Sequence, residues 1–89
     1  MKIHELKTCK KFFDEVANGN KTFEIRYNDR DYQIGDKLVL RAVTDDDARA
    51  YIDGVSPIHA KITYVVKDWG LEKGYVVLAL KAYLTANSK

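Results

Sequence analysis

The spacing of apolar residues near the N-terminus is typical of a helix that follows a short strand. Between residues 9 and 18, apolar side chains recur at helical spacing and charged side chains take the opposite side; the apolar positions are Phe12, Phe13, Val16 and Ala17. Thr8 is a suitable N-cap, and Gly19 stands where helices commonly end in the left-handed conformation. The pattern predicts a strand over residues 2–6 and a helix over residues 9–18.

After the helix, the apolar residues change to the two-residue alternation of β-strands. Over residues 22–27, Phe23, Ile25 and Tyr27 share one face, and their apolar character predicts that this face packs into the core. The polar residues of the same segment lie on the opposite face. Further strands are predicted over residues 37–43, 58–67 and 75–84.

Together these elements predict an α+β, mainly β fold in a single domain over residues 1–89. Halving a chain of 89 residues would leave two pieces too small to bury a core. Five or six strands with one early helix favour a small β-barrel that is closed or nearly closed. Closure removes the edge strands that so short a chain cannot otherwise protect.

The composition narrows the class of protein but does not identify a function. The longest apolar run, residues 75–80, is far shorter than the roughly 20 residues that span a bilayer. One cysteine, Cys9, cannot form an intramolecular disulfide, and two histidines give no credible zinc set. The net charge of +2 and the pI of 8.6 are lower than the strongly basic values expected of a dedicated duplex-DNA-binding protein. We expect a cytoplasmic domain without metal, cofactor or membrane association.

Polar side chains that could take part in binding or catalysis are concentrated just after the predicted helix. Glu24 and Arg26 are two residues apart on a strand and therefore share a face, while Lys21 and Thr22 stand at the start of that strand. If the helix packs over this face, a carboxylate, a guanidinium, an ammonium and a hydroxyl converge on one cleft. The guanidinium would then offer a planar fork to a phosphate or a base edge. The alternative is an exposed Glu–Arg pair of little energetic weight.

Aromatic residues in or beside predicted loops are candidates for stacking on bases. Tyr32, Tyr51 and Trp69 have such positions, and every base offers a π-face to an aromatic ring. The alternative for each is an aromatic side chain that plugs one end of the barrel. Tyr27 lies on the apolar face of its strand and is predicted to be a core residue.

The segment after the helix resembles the motif of ASCH domains, a branch of the PUA-like superfamily. Its pattern is Gly-x-Lys-x-x-Glu-x-Arg, and Gly19, Lys21, Glu24 and Arg26 occupy all four positions. The continuation to Asp36, and a later Gly-Tyr-Val-Val-Leu segment, resemble a compact subgroup of unknown function that is common in phages and bacteria. The resemblance implies a PUA-like β-barrel whose motif lines a cleft between barrel and helix. It also implies binding of RNA or of a modified nucleobase.

From the motif and the shared strand face we predict an RNA- or nucleotide-binding domain. The ligand-binding candidates are Lys21, Thr22, Glu24, Arg26, Tyr32 and Trp69. One alternative comes from ASCH proteins that hydrolyse N4-acetylated cytidines, with Lys21, Thr22 and Glu24 as the catalytic candidates. Position 24 is Glu where those enzymes have Thr, which leaves the Thr22 hydroxyl as the local substitute. A second alternative is a non-catalytic module that binds a protein partner, whose identity the sequence does not indicate.

Overall fold

The computed structural model describes residues 1–85, which form five strands and one helix. The elements, in chain order, are β1 (Ile3–Cys9), α1 (Lys10–Ala17), β2 (Phe23–Tyr27), β3 (Lys37–Val43), β4 (Ile58–Lys67) and β5 (Tyr75–Thr85). The predicted mainly β fold with a helix after the first strand is confirmed. No helix within residues 1–85 has the length and apolar character needed to cross a bilayer.

All five strands belong to one sheet that curls into a half-barrel. Its order is β1-β3-β4-β5-β2, so β1 and β2 are its two edges. The β1–β3 pair is parallel and the other pairs are antiparallel. Register shifts in β4, between His59 and Ala60 and between Ile62 and Tyr64, interrupt its ladder with β5. Such irregularities increase the local twist that allows a sheet to curl.

The core lies on the concave side of the sheet and is closed at one end by α1. Phe13 and Val16 of the helix are buried, and the helix contacts β1 and β3. Gly19 ends the helical turn with φ +86°, as the sequence predicts. The predicted N-cap is wrong: Cys9 takes the cap position, because β1 runs further than expected and Thr8 is its buried inward-facing residue.

The orientation of β2 is the reverse of the prediction. Ile25 is 55% exposed, and Phe23 and Tyr27 are exposed as well, whereas Glu24 is 4% exposed. Strand β2 is an edge strand whose outer face carries the apolar side chains alongside those of β5, with Ile25 opposite Val77. Its inner face carries Glu24, because two cationic side chains compensate the carboxylate there. Hydrophobicity alone therefore assigned the wrong face to the core.

A second buried carboxylate, Asp36, ties the start of β1 to the turn before β3. Asp36 is 2% exposed, and its Oδ1 accepts a hydrogen bond of 3.0 Å from the backbone amide of Lys2. Its Oδ2 accepts one of 3.1 Å from the Gln33 amide and lies 2.8 Å from Nε2 of His4. Burial acts to raise the pKa of Asp36, but these hydrogen bonds outweigh it and hold the pKa at about 2.

Candidate functional site

An open cleft of about 360 Å³ lies where the two edge strands approach each other. Its walls come from the end of β1, the first turn of α1, Lys21, residues 23–26 and the connection that carries Arg49. The volume is within the range of about 300–1,000 Å³ that is usual for small-molecule sites. The helix and strand predicted to flank a cleft do so.

Glu24 lies at the centre of a cluster of charges in this cleft, which we call the Lys21–Glu24–Arg26 triad. Lys21 donates a hydrogen bond of 2.7 Å from Nζ to Oε2 of Glu24. Arg26 donates from Nη2 and Nε to Oε1, over 2.9 and 3.2 Å. One carboxylate thus forms ion pairs with two cations. The side chain of Lys21 is 16% exposed and that of Arg26 is 22% exposed. The structure therefore brings three of the predicted site residues together.

The local chain path explains why these three side chains meet. After Gly19, the Lys21 amide donates to the Glu15 carbonyl over 2.9 Å, which turns the chain from the helix end toward β2. Glu24 and Arg26 then share the inner face of β2 by strand alternation. Lys21, three residues before Glu24, reaches the same carboxylate from the turn.

Arg26 also connects the two edges of the half-barrel. Its Nη2 donates a hydrogen bond of 2.8 Å to the backbone carbonyl of Lys7 and one of 3.3 Å to Oγ1 of Thr8, and both acceptors lie in β1. The guanidinium therefore spans the gap between β2 and β1 that no β-ladder closes within residues 1–85. A lysine at this position would have only one terminal nitrogen with which to reach both the carboxylate and the β1 carbonyl.

Two exposed phenylalanines flank the ammonium group of Lys21. Nζ of Lys21 lies 4.8 Å from the ring centroid of Phe23 and 5.5 Å from that of Phe12, both within cation–π range. Both rings border the cleft and remain partly accessible. The sequence pattern assigned Phe12 to the apolar side of the helix and Phe23 to a buried strand face, because apolar spacing cannot distinguish the rim of a cleft from a buried face.

Arg49 and Lys7 add positive charge at the β1 end of the cleft. Arg49 donates from Nη2 to the Lys7 carbonyl over 3.3 Å, so it shares that oxygen with Arg26. Within residues 1–85, no carboxylate lies at salt-bridge distance from Lys7 or Arg49. Sequence reasoning missed both residues. Arg49 reaches the cleft because the Asp45 carboxylate accepts from the Lys11 amide and holds the loop against the helix, a long-range contact with no sequence signature.

The other three predicted site residues do not line the cleft. Thr22 is exposed and precedes β2, so its hydroxyl is not part of the triad's face. Tyr32 is 2% exposed and packs edge-on against His4 at 4.8 Å between centroids, so its ring faces are not available for stacking. Burial raises the pKa of Tyr32. Trp69 is 86% exposed in the loop between β4 and β5, away from the cleft walls.

Comparison with known proteins places the chain in a family without assigning it an activity. A relative from Escherichia phage P2, described as an uncharacterized 12.9 kDa protein in the GpA 3′ region, is 38% identical over 73 residues. The alignment covers 76% of this chain and 60% of the phage protein, so the chain spans about three-fifths of that relative's length. Residues 3–80 match the family model described as a domain of unknown function, DUF3850. The chain belongs to the DUF3850 family.

Proposed function

We propose that this domain binds RNA or a nucleotide in the cleft that contains the Lys21–Glu24–Arg26 triad. One observation carries the proposal: a buried carboxylate holds an ammonium and a guanidinium at the base of an open, ligand-sized cleft with aromatic rings at its rim. The match of Gly19 and the triad to the ASCH motif supports the same function. It also supports a proposed PUA-like relationship for the half-barrel.

The chemistry of the triad suits the polar edge of a nucleobase. Glu24 fixes the positions of both cations, so they are ordered before a ligand arrives and little side-chain entropy is lost on binding. Carbonyl oxygens or ring nitrogens of a base accept hydrogen bonds from such donors. Glu24 itself accepts from exocyclic amines. Phe12 and Phe23 would stack on the base, an interaction worth about 1–3 kcal/mol per base in single-strand binding sites.

The charge balance of the cleft favours an anionic ligand. Four basic residues border it against one carboxylate; the basic residues are Lys7, Lys21, Arg26 and Arg49. This local excess of three positive charges exceeds the net charge of +2 of the whole chain. Phosphate groups contribute much of the affinity of nucleic-acid complexes and make it salt-dependent.

A binding titration with matched variants tests the proposal. Labelled single-stranded RNA and a panel of nucleosides would be titrated into the wild type and into Lys21→Gln/Arg26→Gln at two salt concentrations. The matched control is Lys61→Gln/Lys73→Gln, which removes the same charge from exposed positions outside the cleft. We expect saturable binding that the cleft variant weakens about tenfold or more, and the control by less than about threefold.

A further variant keeps the test decisive if the double replacement destabilises the domain. Phe12 is 47% exposed at the rim of the cleft, so Phe12→Ala is expected to preserve the fold while removing a stacking surface. Circular dichroism verifies the fold of each variant. Failure of the wild type to bind any RNA or nucleoside, or equal weakening by cleft and control variants, would contradict the proposal.

A further inference from the structure

We infer that the ligand is a single strand of at least two nucleotides, because Lys7, which borders the cleft, also lies against the aromatic ring of a second recess. This inference rests on the proposed function and extends it. The second recess has a volume of about 390 Å³ and is lined by residues that include Tyr51, Val55 and the ion pair of Arg41 with Glu5. Tyr51 is 56% exposed. The cleft, called the first recess from here on, and the second recess are thus similar in size, and each has an accessible aromatic ring.

Lys7 and Arg49 lie between the two recesses. The Lys7 carbonyl accepts from Arg49 at the first recess, while Nζ of Lys7 lies 5.2 Å from the ring centroid of Tyr51 at the second. Arg49 and Tyr51 are separated by one residue, which limits their Cα separation to about 7 Å. A guanidinium, an ammonium and an aromatic ring therefore follow one another along the surface from one recess to the other.

Backbone hydrogen bonds to β3 fix the position of the loop that carries Arg49 and Tyr51. Tyr51 forms an antiparallel bridge with Val43 at the end of β3, and the Ile52 amide donates to the Ala42 carbonyl over 3.2 Å. One residue further into the loop, the Thr44 amide donates to the Ala50 carbonyl over 2.9 Å. The loop is consequently closed on itself next to β3, and Tyr51 is held at the rim of the second recess.

The order of groups matches the chemical order of a single strand, in which base, phosphate and base alternate. The first base lies against Phe12 and Phe23, and the linking phosphate lies between Arg49 and Lys7. The second base stacks on Tyr51. Positive charge that follows the backbone, combined with aromatic side chains that stack on successive bases, is the usual arrangement of single-strand binding proteins. A mononucleotide would leave the Tyr51 recess unused.

Dependence of affinity on ligand length tests this inference. Wild-type affinities would be measured for nucleoside 5′-monophosphates, dinucleotides and tetranucleotides of the base that binds best. We expect the tetranucleotide to bind at least about tenfold more tightly than the monophosphate, and Tyr51→Ala to reduce that ratio toward one. Tyr51→Phe keeps the stacking ring and should retain the ratio. Tyr64→Ala is the control, because Tyr64 is similarly exposed on β4 and lines neither recess.

The results separate a failure of this inference from a failure of the proposed function. Equal affinities for monophosphate and tetranucleotide would overturn the inference and leave nucleotide binding in place. A length dependence that Tyr51→Ala does not alter would overturn it too. Absence of binding to any of these ligands would reject the proposed function together with the inference. Arg49→Gln should additionally lower the salt dependence of tetranucleotide binding, because it removes one phosphate contact.

Discussion

Two carboxylates are buried within residues 1–85, and their partners differ in kind. Asp36 is held by two backbone amides and by His4, all of which lie within the packed chain. Among the described residues, Glu24 is held only by the side chains of Lys21 and Arg26, and both of these border an open cleft. The exposed fractions of the two carboxylate residues are similar, at 2% and 4%.

The difference in partners indicates different roles. A carboxylate bonded to backbone amides fixes where chain segments lie, and a ligand cannot replace those donors without unfolding the segments. A carboxylate bonded to mobile cations at a cleft orders those cations while leaving their remaining N–H groups available. Burial of charge alone therefore does not identify a binding site; the origin and accessibility of the compensating donors do.

The largest expected effect comes from removing the carboxylate of Asp36. Asp36→Ala leaves the Lys2 and Gln33 amides and the His4 ring without their buried partner. We expect the free energy of unfolding to fall by about 3–5 kcal/mol, as is typical when one partner of a buried polar network is lost. Urea denaturation measures this change. Asp14→Ala is the control, because Asp14 is an exposed carboxylate that pairs with the exposed Lys10, and should change stability by less than about 0.5 kcal/mol.

Acidification should destabilise the protein through Asp36. The pKa of this carboxyl is about 2 in the fold against an ordinary 3.8, so folding favours its ionised form. Its contribution is fully present above about pH 4 and is lost as the pH falls toward 2. The difference between the two pKa values corresponds to about 2 kcal/mol. Urea denaturation between pH 5 and pH 2 should show this loss in the wild type; an equally steep loss in Asp36→Asn would contradict the assignment.

A smaller loss of stability is expected at Glu24. Glu24→Gln removes the charge that Lys21 and Arg26 share, but both cations border the cleft and can turn toward water. We expect the free energy of unfolding to fall by about 1–2 kcal/mol, consistent with loss of hydrogen bonds to a charged group. Chemical denaturation of Glu24→Gln and of Asp36→Asn, each against the wild type, measures the two losses in the free energy of unfolding. A loss at Glu24 as large as that at Asp36 would remove the distinction between the two carboxylates.

The secondary structure could be predicted well because its signals are local. The strands over residues 37–43 and 58–67 have the predicted limits. Buried residues alternate with less buried ones over most of the first strand and over the first half of the second. Gly19 marks the helix end for a reason of backbone geometry alone. The shared face of Glu24 and Arg26 could also be predicted, because the two residues are two apart on one strand. Lys21 joins them from the turn before that strand.

The remainder of the site depends on contacts that spacing does not encode. The burial of Glu24 in place of Ile25 results from the edge position of β2, which only the sheet order reveals. Tyr32 is buried because the turn before β3 folds back over His4. Arg49 joins the cleft through a loop held by hydrogen bonds across some 34 residues of sequence, from Asp45 to Lys11.

The bridge that Arg26 makes across the open side of the half-barrel determines how the two sheet edges can move. Edges joined by a ladder separate only when several backbone hydrogen bonds break together. Edges joined by side-chain hydrogen bonds, here from Arg26 and from Arg30 in the turn after β2, can separate when those side chains change rotamer, without cost to any strand pairing. The width of the cleft mouth is thus adjustable by torsion about a few side-chain bonds, and the rest of the sheet serves as a rigid frame.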